Sequence, residues 1–371
     1  MSNKRTRTKR RYVMHIGRHK TGTSMLQACL ASCEDQLLSQ GVVYPTEGRG
    51  GGEAHHTLAG VLGAKIPLEW SSNLEDESHE FELMLSATEK SKHDIIVSSE
   101  AFQSIDPQAT LRWFDADRML VIVYLREQYE YLQSTYSQAI QSQGITLTFA
   151  EFVEQGWRPN YSWFLSRWKK LGCELSVGVY DRAQLEGGDI FTDFCARLDI
   201  DKPDTHISSR NPSIGGDLLA FKRELNRLPI DPNTLRLKLR SCLSVLAQRH
   251  PEYKTKPFVA PSTIEQIRSS VQTTNSEVAL EFLGRSELFA PKRSESMSSI
   301  EKFVGLSPEE ILLSPADLQL LFKRINELPG GSNCLNWLNQ QARDLSCHSR
   351  KDIVGNWHSE LEDFVKCFVD L

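Results

Sequence analysis

The chain has 371 residues, 40% hydrophobic and 25% charged, ordinary values for a folded globular protein. A formal net charge of −5 gives no general attraction to nucleic acid, and no apolar run approaches the length needed to cross a bilayer. Eight cysteines are scattered without a C-x-x-C pair; reduced thiols and the lack of an export signal point to the cytoplasm.

Residues 1–11 carry Lys4, Arg5, Arg7, Lys9, Arg10 and Arg11, which read as a disordered basic tail. The alternative is weak adhesion to anionic lipid headgroups. Tyr12–Ile16 is a short apolar run of the kind expected for a buried parallel strand. Next comes Gly17-Arg18-His19-Lys20-Thr21-Gly22-Thr23-Ser24. It keeps the glycine spacing and final hydroxyl of the nucleotide loop G-x-x-x-x-G-K-[ST]. Thr23, however, fills the lysine slot, and Lys20 sits two residues before the second glycine. Such a loop can wrap an anion in backbone N–H donors at a helix start, but it lacks the standard reach towards a γ-phosphate. Leu26, Cys29, Leu30, Cys33, Leu37 and Leu38 then recur at helical spacing, with Gly41 as the expected C-terminal cap. Cys29 and Cys33 share one helical face and read as core rather than half a metal site.

Further strands are expected at 42–44, 94–98, 119–125 and 174–180, with helical patterns between most of them. Alternation of this kind predicts an α/β fold with a doubly wound parallel sheet and helices on both faces. Between the second and third strands, Gly48–Gly52 leads into His55-His56 and reads either as a lid over a bound acceptor or as a surface loop. Helices are expected over Gln128–Gln143, Phe149–Glu154 and Tyr161–Leu171. Trp157, Trp163 and Trp168 form a stripe that is either an acceptor surface or packing, with packing favoured for Trp168. Residues 12–290 are expected to form this domain, followed by a linker and helical C-terminal extension over 291–371 with no catalytic motif. Ligands on such sheets lie at the C-terminal strand ends, and Lys20, Glu100 and Arg126 each stand just beyond a predicted strand.

The run His15-Ile16-Gly17-x-x-Lys20-Thr21-Gly22-Thr23-Ser24, then Leu26-Gln27 and Gly41-Val42-Val43-Tyr44-Pro45, resembles the bacterial sulfotransferases. Those enzymes take a sulfuryl group from 3′-phosphoadenosine 5′-phosphosulfate (PAPS) and share a P-loop architecture. The resemblance extends to Arg126 at the end of a strand with Ser134 eight residues on. Weaker echoes are Tyr180-Asp181-Arg182, Gly188-Asp189, Asn275 and Gly284-Arg285.

The resemblance implies a donor site formed by Arg18, His19, Lys20, Thr21, Gly22, Thr23 and Ser24 around the 5′-phosphate, with Arg126 and Ser134 on the 3′-phosphate. Lys20 would stabilise charge on the leaving oxygen. A structural ion pair of Arg126 with Glu127 or Glu130 is the alternative for that residue. The proton of the acceptor falls to Glu100 or to His56, with Glu100 slightly favoured. The acceptor would be a hydroxyl or amine of a glycan, lipid or small molecule. No metal is expected, since cations of the protein hold the leaving phosphate and the strand before Arg126 lacks the aspartate of a magnesium site. The competing classes are a P-loop kinase and a non-catalytic nucleotide-binding relative.

Overall fold

The computed structural model describes residues 10–18, 20–67, 71, 73–155, 159–205, 207, 214–226, 243–249 and 261–290. Lys4, Arg5, Arg7, Lys9, His19, Trp157 and the expected 291–371 extension lie outside them. In chain order the first elements are β1 (Tyr12–Ile16), α1 (Thr23–Ser32), α2 (Glu34–Ser39), β2 (Val42–Val43), α3 (His56–Val61) and α4 (Leu74–Ala87). Next are β3 (Asp94–Ser99), β4 (Met119–Leu125), α5 (Gln128–Gln138), α6 (Phe149–Glu154), α7 (Tyr161–Lys169), β5 (Glu174–Val179) and α8 (Ile190–Leu198). The last are α9 (Gly216–Leu225), α10 (residues 243–249) and α11 (Pro261–Val278).

The five strands pair in the order β2–β3–β1–β4–β5, and every pairing is parallel. Tyr12 is level with Ile95 on one side and Met119 on the other. The three inner strands are buried along their whole length, as strands covered on both faces are; β4 is apolar throughout, whereas β1 buries His15 and β3 buries Asp94, Ser98 and Ser99. β5 starts at the exposed Glu174 and becomes buried only towards Val179, which fits an edge strand.

Because strand side chains alternate, the two faces collect different residues. Met14, Ile16, Val97, Val121 and Val123 face Leu58 of α3, Phe81 of α4 and Phe164, Leu165 and Trp168 of α7. Val13, Ile96, Ile122 and Tyr124 face Leu26, Cys29 and Leu30 of α1, Leu37 of α2, and Phe191 and Phe194 of α8. Trp168 is fully buried, whereas Trp163 is 61% exposed, so these two tryptophans do not form one surface.

Two of the arginines expected in the tail, Arg10 and Arg11, are packed against the domain. Arg10 is buried and donates from Nη1 to the Leu85 carbonyl at 3.2 Å. Arg11 pairs with Asp94 at 2.8 Å, which supplies the countercharge that a buried carboxylate at the start of β3 needs.

Backbone contacts divide the chain into two compact units. One contains Met1–Tyr131, Pro159–Ser209 and Val271–Pro291, and the other Leu132–Arg158, Arg210–Ser270 and Lys292–Leu371. The sheet belongs to the first. In the second, the Tyr136 ring packs against Phe149 at 5.3 Å, and its hydroxyl donates to the Leu147 carbonyl at 2.7 Å. Asn226, just after α9, donates to the carbonyls of Ile140 and Ile145 at 3.0 and 2.9 Å.

Candidate functional site

Strand order places one crevice at the centre of the sheet. The chain leaves β1 towards β2 and β3 on one side, and leaves β4 towards β5 on the other, although β1 and β4 are neighbours. Ligands of open α/β sheets bind where connections diverge in this way, beyond the carboxyl ends of the strands. The loop at 17–22 follows β1, and Arg126 follows β4. The sheet therefore brings them together: Arg126 Nη1 donates to the Lys20 carbonyl at 2.9 Å.

The loop is held in a form its glycines make possible. Lys20 and Gly22 both take left-handed backbone angles, with φ of 66° and 75°. Such angles suit glycine and are uncommon for lysine. A Cβ on Gly22 would also stand 2.7 Å from the Tyr180 ring, and one on Gly17 would stand 2.3 Å from Thr23 Cγ2. The Thr21 hydroxyl donates to the Arg18 carbonyl at 2.7 Å and closes the turn.

Gly22 is also the N-cap of α1, so the cap has no side chain to accept from the first-turn N–H groups, and that turn holds no acidic residue. In α7 and α8, by contrast, Asn160 accepts from the Trp163 N–H and Asp189 from the Thr192 N–H, both at 2.9 Å. The start of α1 thus presents donors and the positive end of a helix dipole to the crevice. Thr23 is buried and Ser24 is exposed at that start.

Arg18 does not point its charge at the crevice. Its guanidinium stacks 4.8 Å from the Phe164 ring, 5.3 Å from Tyr131 and 5.4 Å from Tyr161, and the residue is buried. It anchors the loop to the core by cation–π contact. Nothing in the local sequence signals this cage, because its rings come from α5 and α7.

Arg126 is gripped from several sides. Besides the Lys20 carbonyl, its Nε lies 3.4 Å from Glu130 Oε2, its guanidinium is 5.9 Å from the Tyr180 ring, and its own carbonyl accepts from the Tyr161 hydroxyl. Burial pulls its pKa below the ordinary arginine value, with Tyr180, Tyr161 and Glu127 opposing. Ser134 lies half-buried on α5, past the point where the second unit begins. Asn275 exchanges two hydrogen bonds with Gln128, at 2.6 and 3.0 Å, and so lies beside the start of α5.

On the other flank of the loop, Glu100 follows β3. The Glu100 Cα is 3.3 Å from where a Gly17 Cβ would be. Its Oε2 accepts from Gln27 Nε2 at 3.1 Å, and its Oε1 lies 3.9 Å from His56 Nε2. His56 Nδ1 is 2.8 Å from Ser99 Oγ. Thus Glu100 and His56, the two candidate bases, stand side by side. Burial lowers the His56 pKa, and Glu100 works against that shift.

His55 has a different place from its neighbour. It is fully buried, accepts from the Ser98 N–H at 3.2 Å, and donates from Nε2 to the Pro45 carbonyl at 3.1 Å. Burial drives its pKa down to about 3, which keeps the ring neutral. His15, on β1, meets the Ser98 hydroxyl at 2.7 Å and is lowered to about 4, again by burial. The stretch 48–52 is tied down at its start, since the Gly48 N–H donates to Glu77 and buried Arg49 pairs with Glu34.

Among the described residues no group of three metal-ligating side chains occurs, and no helix is long and apolar enough to cross a membrane.

No protein-family model and no solved structure matches the chain. An uncharacterized protein of Archaeoglobus fulgidus is 28% identical over 214 residues, which covers 54% of this chain and 57% of that protein. The chain therefore spans little more than half the length of this relative, which brings no activity with it.

Proposed function

We propose that the protein is a sulfotransferase that moves the sulfuryl group of PAPS to an acceptor hydroxyl or amine. The observation that carries the reading is the meeting of Lys20 and Arg126 at the β1–β4 crevice, beside a helix start that has no side-chain cap. In this reading the first-turn N–H groups of α1 and the Ser24 hydroxyl hold the 5′-phosphate. Lys20 neutralises charge that accumulates on the phosphate oxygen as the S–O bond breaks. Arg126 holds the 3′-phosphate by charge-assisted hydrogen bonds.

The acceptor's proton goes to the Glu100–His56 pair on the opposite side of the loop. Both groups are partly exposed, with side chains at 22% and 16%, so a substrate can reach them. A cytosolic setting suits the free thiols of Cys29, Cys33 and Cys195, whose pKa values burial raises. The acceptor would then be a glycan precursor, a lipid headgroup or a small molecule.

A P-loop kinase is the second reading. Thr23 in place of the loop lysine speaks against it. Calorimetric titration separates the two: tight binding of 3′,5′-adenosine bisphosphate is expected, whereas preference for ATP with magnesium would favour the kinase.

A further inference from the structure

The cage around Arg18 holds a charge without a countercharge. Arg18 is 7% exposed, and its guanidinium lies 4.8 Å from the Phe164 ring, 5.3 Å from Tyr131 and 5.4 Å from Tyr161. Its Nε is buried without a hydrogen-bond partner, and among the described residues no carboxylate stands within ion-pair distance of it. Buried cations in proteins are paired, and a buried donor left over asks for an ion or a water. Cation–π contact explains where the guanidinium sits, since ring faces attract its charge, but they give its N–H groups no oxygen to bond. A methionine would fill an aromatic cage of this kind with no charge to bury.

The cage also has a side. Tyr161 and Phe164 of α7 pack on the sheet face that carries Met14, Ile16 and Val97, together with Leu58 of α3. The start of α1, where the 5′-phosphate of the donor is placed, belongs to the opposite face, on which Leu26, Cys29 and Leu30 pack. The loop sets out beside the end of β3, since the Gly17 N–H donates to the Ser99 carbonyl at 3.2 Å. The charge of Arg18 therefore lies on the side of α3, away from α1. Two residues separate Arg18 from Lys20, at most about 7 Å of main chain, so one small molecule can span both.

We infer that the acceptor carries an anionic oxygen group, a carboxylate or a phosphate ester, which Arg18 binds within the ring of Tyr131, Tyr161 and Phe164. The hydroxyl or amine of the same molecule then meets the donor at Lys20. This rests on the sulfotransferase reading above. A planar guanidinium matches two oxygens of one such group, and the charge-assisted pair supplies the countercharge the cage lacks. The rings pack against the apolar body of the acceptor and exclude water, which strengthens the pair. A neutral molecule of the same shape would leave the guanidinium unpaired, and sites built on a polar contact reject analogues that cannot complete it. Arg18 thus selects the acceptor and takes no part in breaking the S–O bond.

Side-chain NMR on the full chain, with ¹⁵N-labelled arginine, tests this without turnover. The Arg18 Nε–H signal is the one lost in Arg18→Met, or in Arg18→Lys if the methionine variant fails to fold. The probes are 4-hydroxyphenylacetate, its neutral amide, 4-hydroxyphenyl phosphate and inorganic phosphate. The acid or the phosphate ester should move the signal saturably, at about a tenth or less of the concentration the amide or inorganic phosphate needs. Whichever of the two binds more tightly names the anion. A signal that neither organic anion moves, or that the amide or inorganic phosphate moves as readily, overturns the inference. Calorimetry with 3′,5′-adenosine bisphosphate on the same protein judges the underlying reading separately, because failure to bind removes the donor site and leaves the Arg18 response standing. Where the bisphosphate binds, the organic anion should still move the signal in its presence. Loss of that response would give the cage to the donor and overturn the acceptor assignment.

Discussion

The Arg126 guanidinium donates to the Lys20 carbonyl at 2.9 Å, so a residue after β4 fixes the backbone of the loop after β1. This contact holds Lys20 in a left-handed conformation that lysine seldom takes. Strain of this kind is retained where surrounding contacts over-determine the backbone, and such places are commonly functional.

Lys20→Ala should abolish transfer while leaving the fold in place, because the loop backbone and its contact to Arg126 persist. The loss should fall mainly on kcat and be on the order of a hundredfold or more, as for other groups that stabilise transition-state charge. Steady-state release of 3′,5′-adenosine bisphosphate from PAPS measures it. Unchanged turnover would remove Lys20 from the chemistry.

Gly22→Ala should weaken both stability and donor binding. The αL backbone alone costs about 1–2 kcal/mol for a residue with a Cβ. The added methyl would also meet the Tyr180 ring at 2.7 Å. Urea unfolding is the measurement, and a variant as stable as the wild type would show that the loop is not held as described.

Much of this fold is legible in the sequence. The expected strands 12–16 and 119–125 coincide with β1 and β4, because a central parallel strand is a largely apolar run. The helix pattern from Leu26 to Leu38 is less faithful. The structure breaks it at Cys33, whose φ is −127°, and Leu38 ends 49% exposed. Likewise the pattern expected over Gln128–Gln143 is α-helical only to Gln138, with a π turn over Ala139–Gln143. The polar cluster was beyond reach of any local reading. His56 meets Ser99 across 43 residues, Gln27 meets Glu100 across 73, and only strand order brings them together.

Stability should fall on the acid side. The buried rings of His15 and His55 have pKa values near 4 and 3, below the ordinary 6.5 of an unfolded chain. Between those limits the unfolded state binds more protons than the folded one, so stability is full above pH 6.5 and declines as pH falls towards 4. At pH 5 each ring should cost roughly 2 kcal/mol relative to pH 7. Denaturant midpoints at the two pH values test this, and His15→Gln should lessen the difference. An equal midpoint at both would mean the rings are not buried in neutral form.

Glu100→Gln should lower the His56 pKa further, since the carboxylate opposes the effect of burial. Histidine NMR titration gives the answer in the variant and the wild type. A His56 pKa that rises or stays fixed would separate the two residues electrostatically.

Trp168→Ala should destabilise the first unit by about 3–5 kcal/mol, the usual cost of emptying a fully buried aromatic site. Trp163→Ala, exposed and stacked on Arg167 at 5.1 Å, should cost less than about 1 kcal/mol. Similar losses for both in urea unfolding would contradict the packing of α7.

Donor recognition is tested most directly by comparing thermal shifts with 3′,5′-adenosine bisphosphate, AMP, ADP and ATP plus magnesium. A ligand that binds only the folded state adds about 2.7 kcal/mol at a hundred times its Kd. Of the four, the bisphosphate alone carries the 3′-phosphate assigned to Arg126. It should raise Tm well above the others, and Arg126→Ala should erase that advantage while leaving the response to AMP nearly unchanged. A larger shift with ATP and magnesium, or no shift with any of the four, would contradict the sulfotransferase reading.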